Sequence, residues 1–182
     1  MNAIDIINKY YSTNIPLKET LLIHSQAVCD EALSVAHRHP ELKLNETILE
    51  TGAMLHDIGI FLTDAPSIHC FGKEPYLMHG YLGGQLLREE GMEAYARICE
   101  RHTGTGLTKE TIEQYQLPIP AQDYFPETIE EIVICYADKF YSKSHLDRVK
   151  TPEHHTATRH AHSGRRALQV PGHHFLRTNH RH

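Results

Sequence analysis

The sequence predicts an all-α bundle of six or seven helices, and three observations carry that prediction. Apolar residues recur at helical spacing through most of residues 1–150, the periodic runs are bounded by Asn, Thr, Gly or Pro, and no stretch alternates convincingly at period two. A chain of 182 residues favours one domain, large enough to bury a hydrophobic core without staples.

Ile4, Ile6, Ile7, Tyr10 and Tyr11 place a short first helix, stopped between Ser12 and Pro16. A second is expected over 17–39, where Leu21, Leu22, Ala27, Val28, Ala32, Val35 and Ala36 form one broad stripe before Pro40. Asn45 suits the N-cap of a third, NETILETGAMLHDIG, with Gly59 as its terminator. Residues 61–75, FLTDAPSIHCFGKEP, read as a loop with two prolines and a glycine, a length that in compact domains usually signals function or mobility. Helical spacing resumes over 76–90 and ends at Gly91; MEAYARICERH makes a short helix closed by Thr103-Gly104-Thr105-Gly106. Thr108 caps TKETIEQY, 117–123 is an irregular connection, and a last helix, PETIEEIVICYADKFY, is expected with Pro126 in an N1-like position.

Charge divides the chain. Residues 1–150 carry a net of −9 and residues 151–182 a net of +4, giving −5 overall. The acidic body argues against a long nucleic-acid groove. The tail holds eight of the sixteen histidines, no lysine and almost no apolar periodicity, so the expected organisation is a domain over 1–150 and a His/Arg-rich, disordered or atypical extension over 151–182. Metal capture by its histidines is one functional reading. The abrupt change at Lys150 also fits a shifted reading frame replacing a native terminal helix, a reading that the same tail in an independently sequenced gene copy would remove.

Cys29, Cys70, Cys99 and Cys135 show neither a CxxC pair nor zinc-finger spacing, which favours buried thiols in a reducing compartment. With no basic and apolar leader at the N-terminus and no apolar run of roughly 18 residues, the expectation is a cytoplasmic chain with no membrane partner.

Polar residues interrupt these apolar helices in a pattern. His24 breaks LLIHSQAV, His56 and Asp57 end the third helix, and His79 sits among small residues in YLMHGYLGG. His102 closes ICERHTG, and Asp138 follows the apolar IVICYA. A single helical histidine is more often a hydrogen-bonded core residue than a ligand. Together, four imidazoles and two carboxylates on separate turns of a bundle make a metal-site inventory. A donor set without thiolate favours Fe, Mn, Mg, Co, Ni or Zn over a soft-metal site. Adjacent His and Asp can reach one ion from a helix end, and the aspartate can bridge to a second.

At this point the sequence resembles the HD-domain metal-dependent phosphohydrolases. The order His24, His56-Asp57, Asp138 matches their pattern, and HDIG at 56–59 matches the subgroup of that name, over about residues 17–143. The resemblance implies a helical HD-type domain binding one or two divalent ions: the first through His24, His56, Asp57 and Asp138, the second through His79 and His102 with Asp57 bridging. The pattern departs from the cyclic-dinucleotide phosphodiesterases of the superfamily, since Ile60 replaces the lysine after HDIG and RHTGTGLT carries no GYP. Small bacterial HD hydrolases, including those that resemble symmetrical dinucleoside tetraphosphatases, match better in size and in the ADK at 137–139. Thr103 stands where a second histidine often accompanies the position of His102.

The expected activity is metal-assisted hydrolysis of a phosphate ester or anhydride in a small nucleotide-like substrate, with Asp57, His79 and His102 as the catalytic group. Lys139, Arg101 and Lys73 are the candidate receptors for phosphate oxygens. Two alternatives use the same donors: a di-iron oxygenase, recognised by dioxygen consumption, and a non-catalytic metal or nucleotide sensor, recognised by binding without turnover.

Overall fold

Local capping decides where the helices start. In the computed structural model, which describes residues 2–103 and 107–149, α1 (Ala3–Tyr10) opens with a capping box: the Asn2 side chain accepts from the Asp5 amide while the Asp5 carboxylate accepts from the Asn2 amide. α2 (Ile15–Arg38) starts two residues earlier than the apolar stripe suggests. Asn14 caps it and Pro16 lies in its first turn, where the missing amide proton costs nothing. Asn45 caps α3 (Glu46–Leu55) as expected, and the chain then turns through residues 56–59.

Residues 61–75 are more ordered than their composition suggests. They contain β1 (Thr63–Ala65), β2 (Cys70–Phe71) and β3 (Glu74–Pro75), a small sheet of order β2-β1-β3, antiparallel between β1 and β2 and parallel between β1 and β3. Strands of two or three residues are too short to leave an alternating signature. A 3₁₀ turn at Tyr76–Met78 then leads into α4 (His79–Glu89), so the regular helix begins three residues after the expected start.

α5 (Glu93–Arg101) and α6 (Lys109–Tyr115) follow, the latter capped by Thr108. The last helix corrects the sequence reading. α7 (Ile129–Asp138) starts after Thr128, whose hydroxyl accepts from the Glu131 amide while the Glu131 carboxylate accepts from the Thr128 amide. Pro126 is therefore outside the helix. The chain beyond Asp138 does not continue as helix either: β4 (Tyr141–Ser142) and β5 (His145–Val149) form a hairpin.

Seven α-helices lie among the described residues, and α3 packs on four of the others, α1, α2, α5 and α7. Leu49, Ala53 and Leu55 of α3 are fully buried, with Leu21, Val28 and Ala32 of α2, Ala96 of α5 and Ile134 of α7 in the same core. All four cysteines are free and buried. No helix among the described residues is long and apolar enough to cross a membrane. The expectations for the tail over 151–182 lie outside the described residues.

The α7 cap is tied to its neighbour. Glu131, almost fully buried, also accepts from the Glu127 amide and from Arg97 Nε of α5 at 3.1 Å. The network holds the helix that ends in Asp138 against the one that leads to His102. Thr128→Ala is expected to cost about 1 kcal/mol and lower the melting temperature by roughly 2–4 °C. Thermal unfolding followed by circular dichroism checks this.

Candidate metal centre

Helix ends supply all but one of the site's residues. His24 projects from the middle of α2, His56 and Asp57 follow α3, His79 is the first residue of α4, His102 follows α5, and Asp138 is the last residue of α7. His24, His56, Asp57, His79 and His102 are all buried. The Asp138 side chain is 22% exposed and lies at the edge of the cluster.

Three of the rings are aimed by one local device. His56 Nδ1 lies 2.6 Å from the Ala53 carbonyl, His79 Nδ1 2.5 Å from that of Tyr76, and His102 Nδ1 2.6 Å from that of Cys99. In each case the acceptor is three residues back. A ring whose Nδ1–H donates to a carbonyl must present Nε2 on its other side, as metal-ligating histidines do. The carbonyls of the motif itself are also held: Cys99 Sγ donates to that of His56 at 2.9 Å and Tyr11 Oη to that of Ile58 at 2.7 Å.

The four Nε2 atoms divide into two pairs around Asp57. His24 Nε2 and His56 Nε2 each lie 3.1 Å from Asp57 Oδ2, and 3.2 Å from one another. His79 Nε2 lies 3.3 Å and His102 Nε2 3.2 Å from Asp57 Oδ1, and 3.3 Å from one another. Asp138 Oδ1 joins the first pair, 3.0 Å from His24 Nε2 and 3.4 Å from His56 Nε2. Two potential ion-holding groups result, His24/His56/Asp57/Asp138 and Asp57/His79/His102, the donor atoms within each lying within 4.8 Å of one another. This explains why His56 and Asp57 are adjacent in the chain: the histidine serves one group, and the aspartate turns one oxygen to each.

The donors fit a divalent cation. Neither Asp57 oxygen receives a properly oriented hydrogen bond, although the side chain is fully buried. A buried carboxylate in that condition has to be paired with a charge, protonated or bound to a metal. Imidazole nitrogens and carboxylate oxygens without thiolate suit first-row divalent ions or magnesium. The residues that resemblance assigned to two ions are thus the residues the fold gathers.

The electrostatics agree. Burial opposes ionisation of Asp57, but Lys143 and His56 outweigh it and hold the carboxyl well below its usual range. Asp138 shows the same balance, with burial overcome by Lys143, His24 and His56. Burial lowers His56, yet the Asp57 and Asp138 carboxylates raise it to about 10. His102 goes the other way: burial, its largest influence, brings it down to about 4, leaving a neutral ring at neutral pH.

The candidate phosphate receptors fare differently. The Arg101 guanidinium pairs with Glu127 Oε1 at 2.6 Å and donates to the Phe125 carbonyl at 2.8 Å, so it ties α5 to the segment before α7. Lys73 is exposed on the segment between β2 and β3. Lys139 is partly buried and follows Asp138 directly, its amide donating to the Tyr136 carbonyl. The cation placed against Asp57 is one that sequence reasoning missed: Lys143 Nζ lies 2.6 Å from Oδ2. Tyr76, stacked on the His79 ring with centroids 4.4 Å apart, was also missed.

A helical domain with His-Asp donors gathered from helix ends defines a metal-binding domain of the HD type. The chain belongs to the HD domain family, whose model matches residues 21–142. That family consists largely of metal-dependent hydrolases. Among its relatives is an uncharacterized protein of Methanocaldococcus jannaschii, 35% identical over 123 residues, which are 66% of this chain and 65% of the relative. Two others are named tRNA (cytidine(56)-2'-O)-methyltransferase. That of Picrophilus torridus is 31% identical over 72% of this chain and 34% of its own length. That of Thermoplasma volcanium is 29% identical over 77% of this chain and 36% of its own length. The chain therefore spans just under two thirds of the first relative and about a third of the other two. No solved structure matches it significantly.

If the two groups bind divalent ions, the folded state gains stability on loading. Adding Mn²⁺ at about 100 times its dissociation constant is expected to stabilise by about 2.7 kcal/mol per site and raise the melting temperature by roughly 5–10 °C. Differential scanning fluorimetry, reversed with a chelator, checks it.

Proposed function

We propose that this protein is a metal-dependent phosphohydrolase acting on a phosphate ester or anhydride of a small nucleotide-like substrate. One observation carries the reading: Asp57 faces a different imidazole pair with each of its oxygens, the arrangement a bridging ligand between two cations requires. His24, His56, Asp57 and Asp138 would hold one ion, and Asp57, His79 and His102 the other. Divalent ions bound there supply Lewis acidity towards water and phosphoryl oxygens, a chemistry shared by many phosphate-cleaving enzymes.

The protein's own contribution is orientation. The Nδ1 contacts of His56, His79 and His102 to backbone carbonyls fix their rings, and burial keeps bulk water from the donor atoms. Lys139, beside Asp138, and Lys73, exposed before α4, are the cations this reading assigns to phosphate oxygens. The net charge of −9 over residues 1–150 favours a small substrate over a polymer. Four unpaired, buried thiols favour a reducing, cytoplasmic setting.

The test is elemental analysis of the purified protein followed by a panel of nucleotides and phosphoesters with each candidate metal. Metal-dependent release of phosphate or nucleotide is expected. Dioxygen consumption by the iron-loaded protein without hydrolysis would replace this reading with an oxygenase, and tight nucleotide binding without turnover would replace it with a sensor.

A further inference from the structure

Lys143 sits in the turn between β4 and β5, on a hairpin that packs against α2 and α7, the helices bearing His24 and Asp138. Its ammonium reaches 2.6 Å from Asp57 Oδ2, the oxygen that His24 Nε2 and His56 Nε2 also approach. The lysine side chain is only 13% exposed and the aspartate side chain is not exposed at all. An ammonium in that position occupies the same electrostatic role that a divalent ion in the first group would fill. It differs in being covalently tethered and in carrying half the charge.

We propose that Lys143 is an internal competitor for the first ion: a tethered cation that neutralises Asp57 until a divalent ion takes Oδ2 and displaces it. The inference rests on the divalent-cation part of the functional reading, and concerns what loading must overcome. Two cations cannot share one carboxylate oxygen without mutual repulsion, and in a largely buried site that repulsion is weakly screened. Loading therefore breaks the Lys143–Asp57 pair and swings the ammonium out on its flexible stem. The device adds a full tethered charge beside a buried carboxylate, and it sets a threshold that a weakly binding ion fails to cross.

The experiment compares wild type, Lys143→Met and Lys143→Arg by isothermal titration with MnCl₂ alone, and by melting with and without Mn²⁺. Loss of the competitor is expected to tighten Mn²⁺ binding by about tenfold in Lys143→Met, while Lys143→Arg stays within about threefold of wild type. The methionine variant is also expected to melt below wild type without metal and to gain more on its addition, a reversal that a purely structural lysine would not produce. If Lys143→Met does not fold, Lys143→Gln measured in the same way decides. Equal or weaker Mn²⁺ binding by the neutral variant overturns the competitor role alone and leaves the hydrolase reading to the substrate panel. Absence of Mn²⁺ binding by every protein, wild type included, overturns both.

Discussion

Replacing Asp57 with alanine is expected to remove both ions and lower hydrolysis by about three orders of magnitude or more, the scale on which metal activation contributes several kcal/mol. Asp57 presents one carboxylate oxygen to each imidazole pair: Oδ2 faces His24 and His56 while Oδ1 faces His79 and His102. His102→Ala should be milder in metal content, since it leaves His24, His56, Asp57 and Asp138 together. Asp57→Ala leaves the largely buried Lys143 ammonium without its carboxylate, so some stability is lost along with the metal. Metal-to-protein ratio and phosphate release, with circular dichroism as the control for folding, check the outcome. Retention of both metal and activity would contradict the bridging role.

Gly59→Ala is expected to destabilise the domain by about 3 kcal/mol and to empty the second group before the first. A β-carbon at Gly59 would lie 2.3 Å from the His79 carbonyl oxygen, 2.4 Å from the Gly83 amide nitrogen and 2.8 Å from its α-carbon. All three are backbone atoms, so no rotamer change relieves the contact and α4 itself must retreat. Gly83 closes the approach from the other side, since a β-carbon there would lie 2.4 Å from Cys99 Sγ. Retreat of α4 carries His79 from Asp57 Oδ1 while leaving α2 and α7 in place. Urea unfolding should report the loss of stability, and Mn²⁺ titration a reduced stoichiometry. An alanine variant with wild-type stability and full metal content would show that the tight approach is dispensable.

Much of this was readable from the chain. The Asn45 cap, the long apolar stripe of α2 and the polar breaks at His24, His56, Asp57, His79, His102 and Asp138 each have a local physical cause visible in the residues. What escaped had either a competing signal or none. Pro126 suits a first helical turn, but Thr128 and Glu131 satisfy two free amides reciprocally, and that box set the start of α7. The strands between β1 and β3 span too few residues for periodicity to register. Lys143 lies beyond the last helix in sequence, and only the reversal between β4 and β5 returns it to the centre. Lys139 was the more visible lysine because it adjoins Asp138, yet adjacency along a helix end says little about direction.

The donors come from positions 24, 56, 57, 79, 102 and 138, spread across five helices of the domain. A fragment must run from residue 24 to residue 138 to hold the first set complete, and from 57 to 102 to hold the second. Cation uptake is consequently a gauge of finished assembly: an expanded, molten form that keeps its helices but loses their mutual packing should release its ions while its far-ultraviolet spectrum hardly changes.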